Sequence, residues 1–139
     1  MNQSWVILGA SSAMARGFAR RVADQGGSVF LAGRDMDDLR ASAADCALRG
    51  APVAEALVFD ARKPVGFQAI YDRLALEDGM LNVAVFVGSM PDQSDIDKDP
   101  SLIDGVVTDS FTGPARFLQG FAPMIEERGG GTVVGVGSV

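Results

Sequence analysis

Histidine is absent from all 139 residues, and cysteine, tryptophan and tyrosine occur once each. With no imidazole to activate its thiol, Cys46 is expected to be a small apolar filler on a helix rather than a nucleophile. A lone cysteine also cannot form an internal disulfide, so a reducing cytoplasm is the simplest compartment. Basic residues are scarce: 12 Lys and Arg stand against 18 Asp and Glu, giving a net charge of −6 and a pI near 4.5. Nucleic acid and anionic membrane surfaces call for basic patches, so neither is an expected partner and a small molecule is. No apolar run is long enough to span a bilayer, and the N-terminus enters its first apolar run without the features of a secretory leader. Asp92 and Asp95 sit in a charged loop read as a solvated face, and no cluster of ligating residues calls for a metal.

What the chain has in quantity is short apolar runs that stop at glycine or at a polar residue. The first organises the rest. Residues 5–8, Trp-Val-Ile-Leu, lack the alternation of a strand with one wet face and read as a buried parallel strand. Gly9 permits a tight turn, Ser11 or Ser12 can cap a helix, and from Ala13 a helical run carries Met14, Phe18 and Val22 on one side. Such a turn aims free N–H groups and the positive end of a helix dipole at one point, an arrangement that holds a pyrophosphate. A plain strand-to-helix connection is the competing reading, since short glycine patterns are common.

Downstream, residues 28–32, 54–59, 81–87 and 132–136 read as four further strands. A helix capped by Asp35 follows the second strand and ends at Gly50, and Pro64 opens another that runs to Asp78-Gly79 with Phe67, Ile70, Tyr71 and Leu74 at helical spacing. Those aromatics are expected in the core. Residues 89–100 read as a loop, and 101–128 as a long helical region in which Gly113-Pro114 marks a bend or fresh start. Strict alternation of strands and helices predicts an α/β fold, a doubly wound parallel sheet with helices on both faces, as a single domain over 1–139. Gly9, Arg34, Asp60, Gly88 and Ser138 each fall just after an apolar run, so together they line one edge of such a sheet, where ligands bind.

With these motifs in hand, the chain resembles the short-chain dehydrogenase/reductase family over essentially its whole length. Gly9-Ala-Ser-Ser-Ala-Met-Ala15 resembles the family's Thr-Gly-x-x-x-Gly-x-Gly turn, with alanines at the second and third glycines. The resemblance implies a Rossmann-type dinucleotide-binding domain in which Gly9, Ser11, Ser12, Ala13 and Met14 hold the cofactor. Phe59-Asp60-Ala61 matches the adenine-contacting aspartate and its successor. Val85-Phe-Val-Gly88 stands where the family has Asn-Asn-Ala-Gly, which implies cofactor contacts for Val87 and Gly88. Ser110-Phe-Thr-Gly-Pro114 resembles the segment that begins with a catalytic-site asparagine, here Ser110, and the final strand resembles the one delivering the catalytic serine, here Ser138. A narrower likeness, carried by the first turn, Gly33-Arg34 and Val87-Gly-Ser-Met-Pro-Asp-Gln93, is to reductases acting on decaprenylphosphoryl 2-keto-pentose.

The family's proton donor is a tyrosine followed four residues later by a lysine. Here Tyr71 is followed by Ala75, and neither Lys63 nor Lys98 has a tyrosine before it at that spacing. The expectation is a domain incomplete at its C-terminus, truncated after the fifth strand; the alternative is a non-catalytic dinucleotide-binding or redox-sensing module. Arg34 alone reads as a solvated charge. Yet Gly33 takes the place where NAD enzymes of this kind hold an acid, and an adjacent arginine can pair with a 2′-phosphate, so NADP(H) is favoured over NAD(H). Asp60 could equally cap a turn. The expected substrate is a small carbonyl compound. Apolar Phe111, Phe117, Leu118, Phe121, Met124 and Ile125 on the long helix, more than one stripe needs, point with the resemblance to a homodimer or homotetramer.

Overall fold

The computed structural model describes residues 2–137. At its centre is a five-stranded sheet in the order β3-β2-β1-β4-β5, with every neighbouring pair parallel. The strands are β1 (Gln3–Leu8), β2 (Ser28–Gly33), β3 (Ala54–Val58), β4 (Met80–Val85) and β5 (Val133–Gly135). Parallel neighbours need crossovers, supplied by α1 (Ala13–Asp24), α2 (Met36–Arg49) and α3 (Phe67–Ala75), the last entered through a 3-10 turn at Pro64–Gly66. Before β5 come α4 (Gln93–Lys98), α5 (Leu102–Val107) and α6 (Gly113–Glu127). Among the described residues no helix is long and apolar enough to cross a membrane.

The unbroken apolar composition of the inner strands follows from burial on both faces. Val6 and Leu8 of β1 join Phe30, Val83, Phe117 and Phe121 in a core beneath α3 and α6. Ile7, one residue out of phase, joins Val29, Leu31, Ala19 and Leu39 in the core beneath α1 and α2. The α3 aromatics are core, as expected: Phe67 stacks on Phe59 with centroids 5.2 Å apart, and the Tyr71 hydroxyl donates to the Phe117 carbonyl at 2.7 Å.

Two expectations are corrected. Residues 93–98 of the supposed loop form α4, because Asp95 sits in its first turn, Lys98 in its last, and Gln93 donates to Asp97 one turn on at 2.9 Å. The long helical region is two α-helices joined by a π turn at Thr108–Thr112, and α6 starts afresh at Gly113 with Pro114 in its first turn, in line with the fresh-start reading of that dipeptide. The surplus of apolar stripes on that region is also an overcount. Phe117 and Phe121 are buried, and Leu118, Met124 and Ile125 pack on the same cluster, since spacings of one, four, seven and eight residues share one helical face. Of the six, Phe111 alone is exposed, at 68%.

At the join of β4 and β5, buried Asn82 donates to the Gln3 side chain at 2.8 Å and the Ser4 carbonyl at 3.3 Å, and accepts from the Thr132 N–H at 2.9 Å. It thereby fixes where β5 enters the sheet. Asn82→Leu, which leaves these partners unpaired, is expected to cost about 1–3 kcal/mol in urea-monitored unfolding.

Candidate functional site

From β1 the chain steps outward to β2 and β3, then returns across the sheet to place β4 on the other side of β1. Loops leaving β1 and β4 therefore diverge, and a crevice opens beyond the strands' C-terminal ends. A cavity of about 280 Å³ lies there. Its walls are Gly9, Ser11 and Ser12 after β1, Gly33 and Arg34 after β2, and Phe59, Asp60 and Ala61 after β3. Phe86, Val87 and Gly88 after β4 and Asp109 of the π turn complete it.

Gly9 has φ of 77°, and a Cβ there would lie 2.9 Å from the Phe86 carbonyl carbon and the Val87 nitrogen. Only glycine lets the turn leave β1 this close to the end of β4. Ser12 caps α1, its Oγ accepting from the Ala15 N–H at 3.2 Å. The next N–H groups, of Ala13 and Met14, donate to nothing among the described residues, and they stand at the positive end of the α1 dipole. Ala13 and Met14 do not line the cavity, and the Met14 side chain is 64% exposed. Any contact they make there runs through backbone.

Arg34 is exposed at the rim and forms no ion pair among the described residues. Asp35 caps α2, its carboxylate accepting from the Asp38 N–H at 3.2 Å. Asp60 both lines the cavity and holds a turn, accepting from the Arg62 N–H at 2.9 Å. Ser110 sits beside the cavity rather than in its wall: its Oγ accepts from the Ser89 N–H at 3.4 Å and lies 3.5 Å from where a Gly88 Cβ would be. Ser138 lies outside the described residues.

Sequence reading missed Asp109. Its carboxylate accepts from Arg62 Nε at 2.9 Å and Nη2 at 2.8 Å, a partner 47 residues away that leaves no local signal. The Arg62 guanidinium holds the Asp109 carboxyl below its ordinary value of 3.8. A depressed folded value means the pair's contribution to stability is full above the unfolded value and is lost only as pH falls through the folded one. At neutral pH both charges stand.

Residues 3–139 match the model of the short chain dehydrogenase family. An uncharacterised oxidoreductase of Myxococcus xanthus is 30% identical over 96% of this chain and 53% of its own length. A short-chain dehydrogenase from Sphingobium yanoikuyae, solved in complex with NADPH, superposes with a TM-score of 0.84 at 28% identity, over 99% of this chain and 54% of that one. A 3-ketoacyl-ACP reductase from Sinorhizobium meliloti gives 0.85 at 26%, over 97% and 53% respectively. The chain thus spans about half the length of the relatives it matches. Glycine turn, switch-point crevice and family match agree: the chain belongs to the short-chain dehydrogenase family.

Proposed function

We propose that this chain forms the cofactor-binding part of an NADPH-dependent reductase acting on a carbonyl or keto-sugar substrate. The observation that carries the reading is the cavity at the switch point, walled by a glycine turn, a helix N-terminus and an arginine with no ion pair among the described residues. These residues fit a dinucleotide. The turn from Gly9 to Ser12 and the free N–H groups of Ala13 and Met14 suit a pyrophosphate, Asp60 and Ala61 an adenine, and Arg34 a 2′-phosphate. Val87 and Gly88 border the path beyond the pyrophosphate.

When bound, the nicotinamide supplies hydride. As the resemblance implies, Ser138 polarises the substrate carbonyl by donating a hydrogen bond, and Ser110 stands at the asparagine position of the family's motif. The proton comes from a tyrosine paired with a lysine four residues on, as the family resemblance implies, a pair absent from these 139 residues. The second reading is a non-catalytic dinucleotide-binding or redox-sensing module, which a natural protein without such a pair anywhere in its length would favour. The protein is proposed to act in the cytoplasm as a homodimer or homotetramer. NADPH bound to the Sphingobium relative supports the choice of cofactor.

Fluorescence titration of the full-length natural protein is expected to give NADPH binding at least about tenfold tighter than NADH. Tighter NADH binding refutes the NADP assignment, and binding of neither refutes both readings. Reduction of a keto sugar by the NADPH-loaded protein decides for the reductase over the module.

A further inference from the structure

Arg62 lies just past the Asp60–Ala61 wall, and Asp109 lies in the π turn between α5 and α6. Their two-pronged pair, at 2.9 and 2.8 Å, joins these segments where Asp109, 8% exposed, forms cavity wall. Two glycines flank Asp109 at one helical turn on either side, and each makes room for the same loop. A Cβ at Gly105 would come within 2.5 Å of Arg62 Nη2, and a Cβ at Gly113 within 2.5 Å of the Ala61 Cβ and 2.7 Å of its carbonyl oxygen. The loop after β3 is therefore pressed onto the α5–α6 backbone along its length and tied at the centre by charge. The other ion pairs among the described residues join α1 to α2, sit within α2, or hold Arg73 to Glu55 and Glu77, and none borders the cavity.

We infer that Arg62 and Asp109 form a positioning clamp, which fixes the Asp60–Ala61 wall at the distance an adenine needs and locks that wall to the turn carrying Ser110. This rests on the NADPH reading above. Asp109 touches the cofactor groove with its charge already matched, so it does not repel a phosphate. Arg62 acts through the loop it holds, not by contact with the ligand.

The experiment is a double-mutant cycle on the full-length protein with Arg62→Met, Asp109→Asn and both together. Each variant is titrated with NADPH and with adenosine 2′,5′-bisphosphate, which presents the adenine end alone, and its thermal unfolding is followed in parallel. Each single change is expected to raise both dissociation constants about 5- to 30-fold, and the double change no further, because removing either partner releases the clamp. A role confined to stability would lower the unfolding temperature yet leave the affinities of the folded variants alone. Folded variants that bind both probes within about twofold of the parent overturn the clamp, as does a double variant whose loss is the product of the singles. Should either single variant fail to fold, Gly105→Ala decides. Its methyl displaces the flexible end of Arg62 while keeping both charges, and is expected to weaken both probes at least about threefold, with unchanged binding overturning the proposal. A parent protein that binds no NADPH overturns the cofactor reading and the clamp with it, whereas parent binding with indifferent variants overturns the clamp alone.

Discussion

Replacing Gly9 by alanine is expected to cost about 2–5 kcal/mol of stability and to abolish NADPH binding at concentrations that saturate the parent. Two costs combine. An L-residue at φ of 77° is held in a sparsely populated backbone region, at about 1–3 kcal/mol. The added methyl also lies 2.9 Å from two backbone atoms of the segment leaving β4, which cannot rotate away as a side chain could. If Phe86 and Val87 move to relieve that contact, the far wall of the cavity moves with them. The loss of affinity should therefore exceed what unfolding alone explains. Gly17 supplies the control, since it lies in the middle of α1 with nothing within 4 Å of its Cβ position. Gly17→Ala is expected to raise stability by about 0.5–1 kcal/mol, from the helix propensity and the reduced freedom of the unfolded chain. Chemical denaturation of the two variants and the parent measures both. Equal effects at the two glycines would show that the Gly9 turn is not the tight passage described.

The sheet was legible because its inner strands are buried on both sides and state it in composition, as Val6-Ile-Leu8 and Val29-Phe-Leu31 do. Gly9, Arg34, Asp60 and Gly88 share the wall of one cavity, and their common edge is readable because each follows a strand end, which is a local signal. Strand boundaries were less legible. Phe86 and Val87 are as apolar as β4 itself, yet they leave the ladder after Val85 and line the crevice instead. The π turn has no composition of its own, and α4 hid in a stretch of Asp and Ser because its helical charge placement, Asp95 in the first turn and Lys98 in the last, was outweighed by polarity. Asp109 was out of reach for a different reason. A charge in a helical run reads as solvent-facing until a partner 47 residues away is known to neutralise it.

Cofactor choice is the last outcome at stake, and it turns on charge at the end of β2. An acid there repels a 2′-phosphate and holds a ribose hydroxyl. This chain has Gly33 at that place, with Arg34 beside it at the cavity rim. The rival acid, Asp35, is engaged elsewhere: its carboxylate accepts from the Asp38 N–H and faces the α2 N-terminus, where a negative charge is favoured. Arg34 has no competing ion pair among the described residues, so its guanidinium is free to make a two-pronged bond to phosphate. A charge-assisted contact of this kind contributes about 1.5–3 kcal/mol, so Arg34→Ala is expected to weaken NADPH about ten- to hundredfold. NADH, which carries no phosphate at that position, should change less than about threefold. Raising salt should shrink the NADPH difference, because an exposed arginine is screened. Lysine at position 34 should restore only part of the affinity, since it keeps the charge and loses the fork. Titrations of both nucleotides against the parent, Arg34→Ala and Arg34→Lys measure all of this. Equal weakening of NADPH and NADH would assign Arg34 to the structure of the rim rather than to recognition of the phosphate.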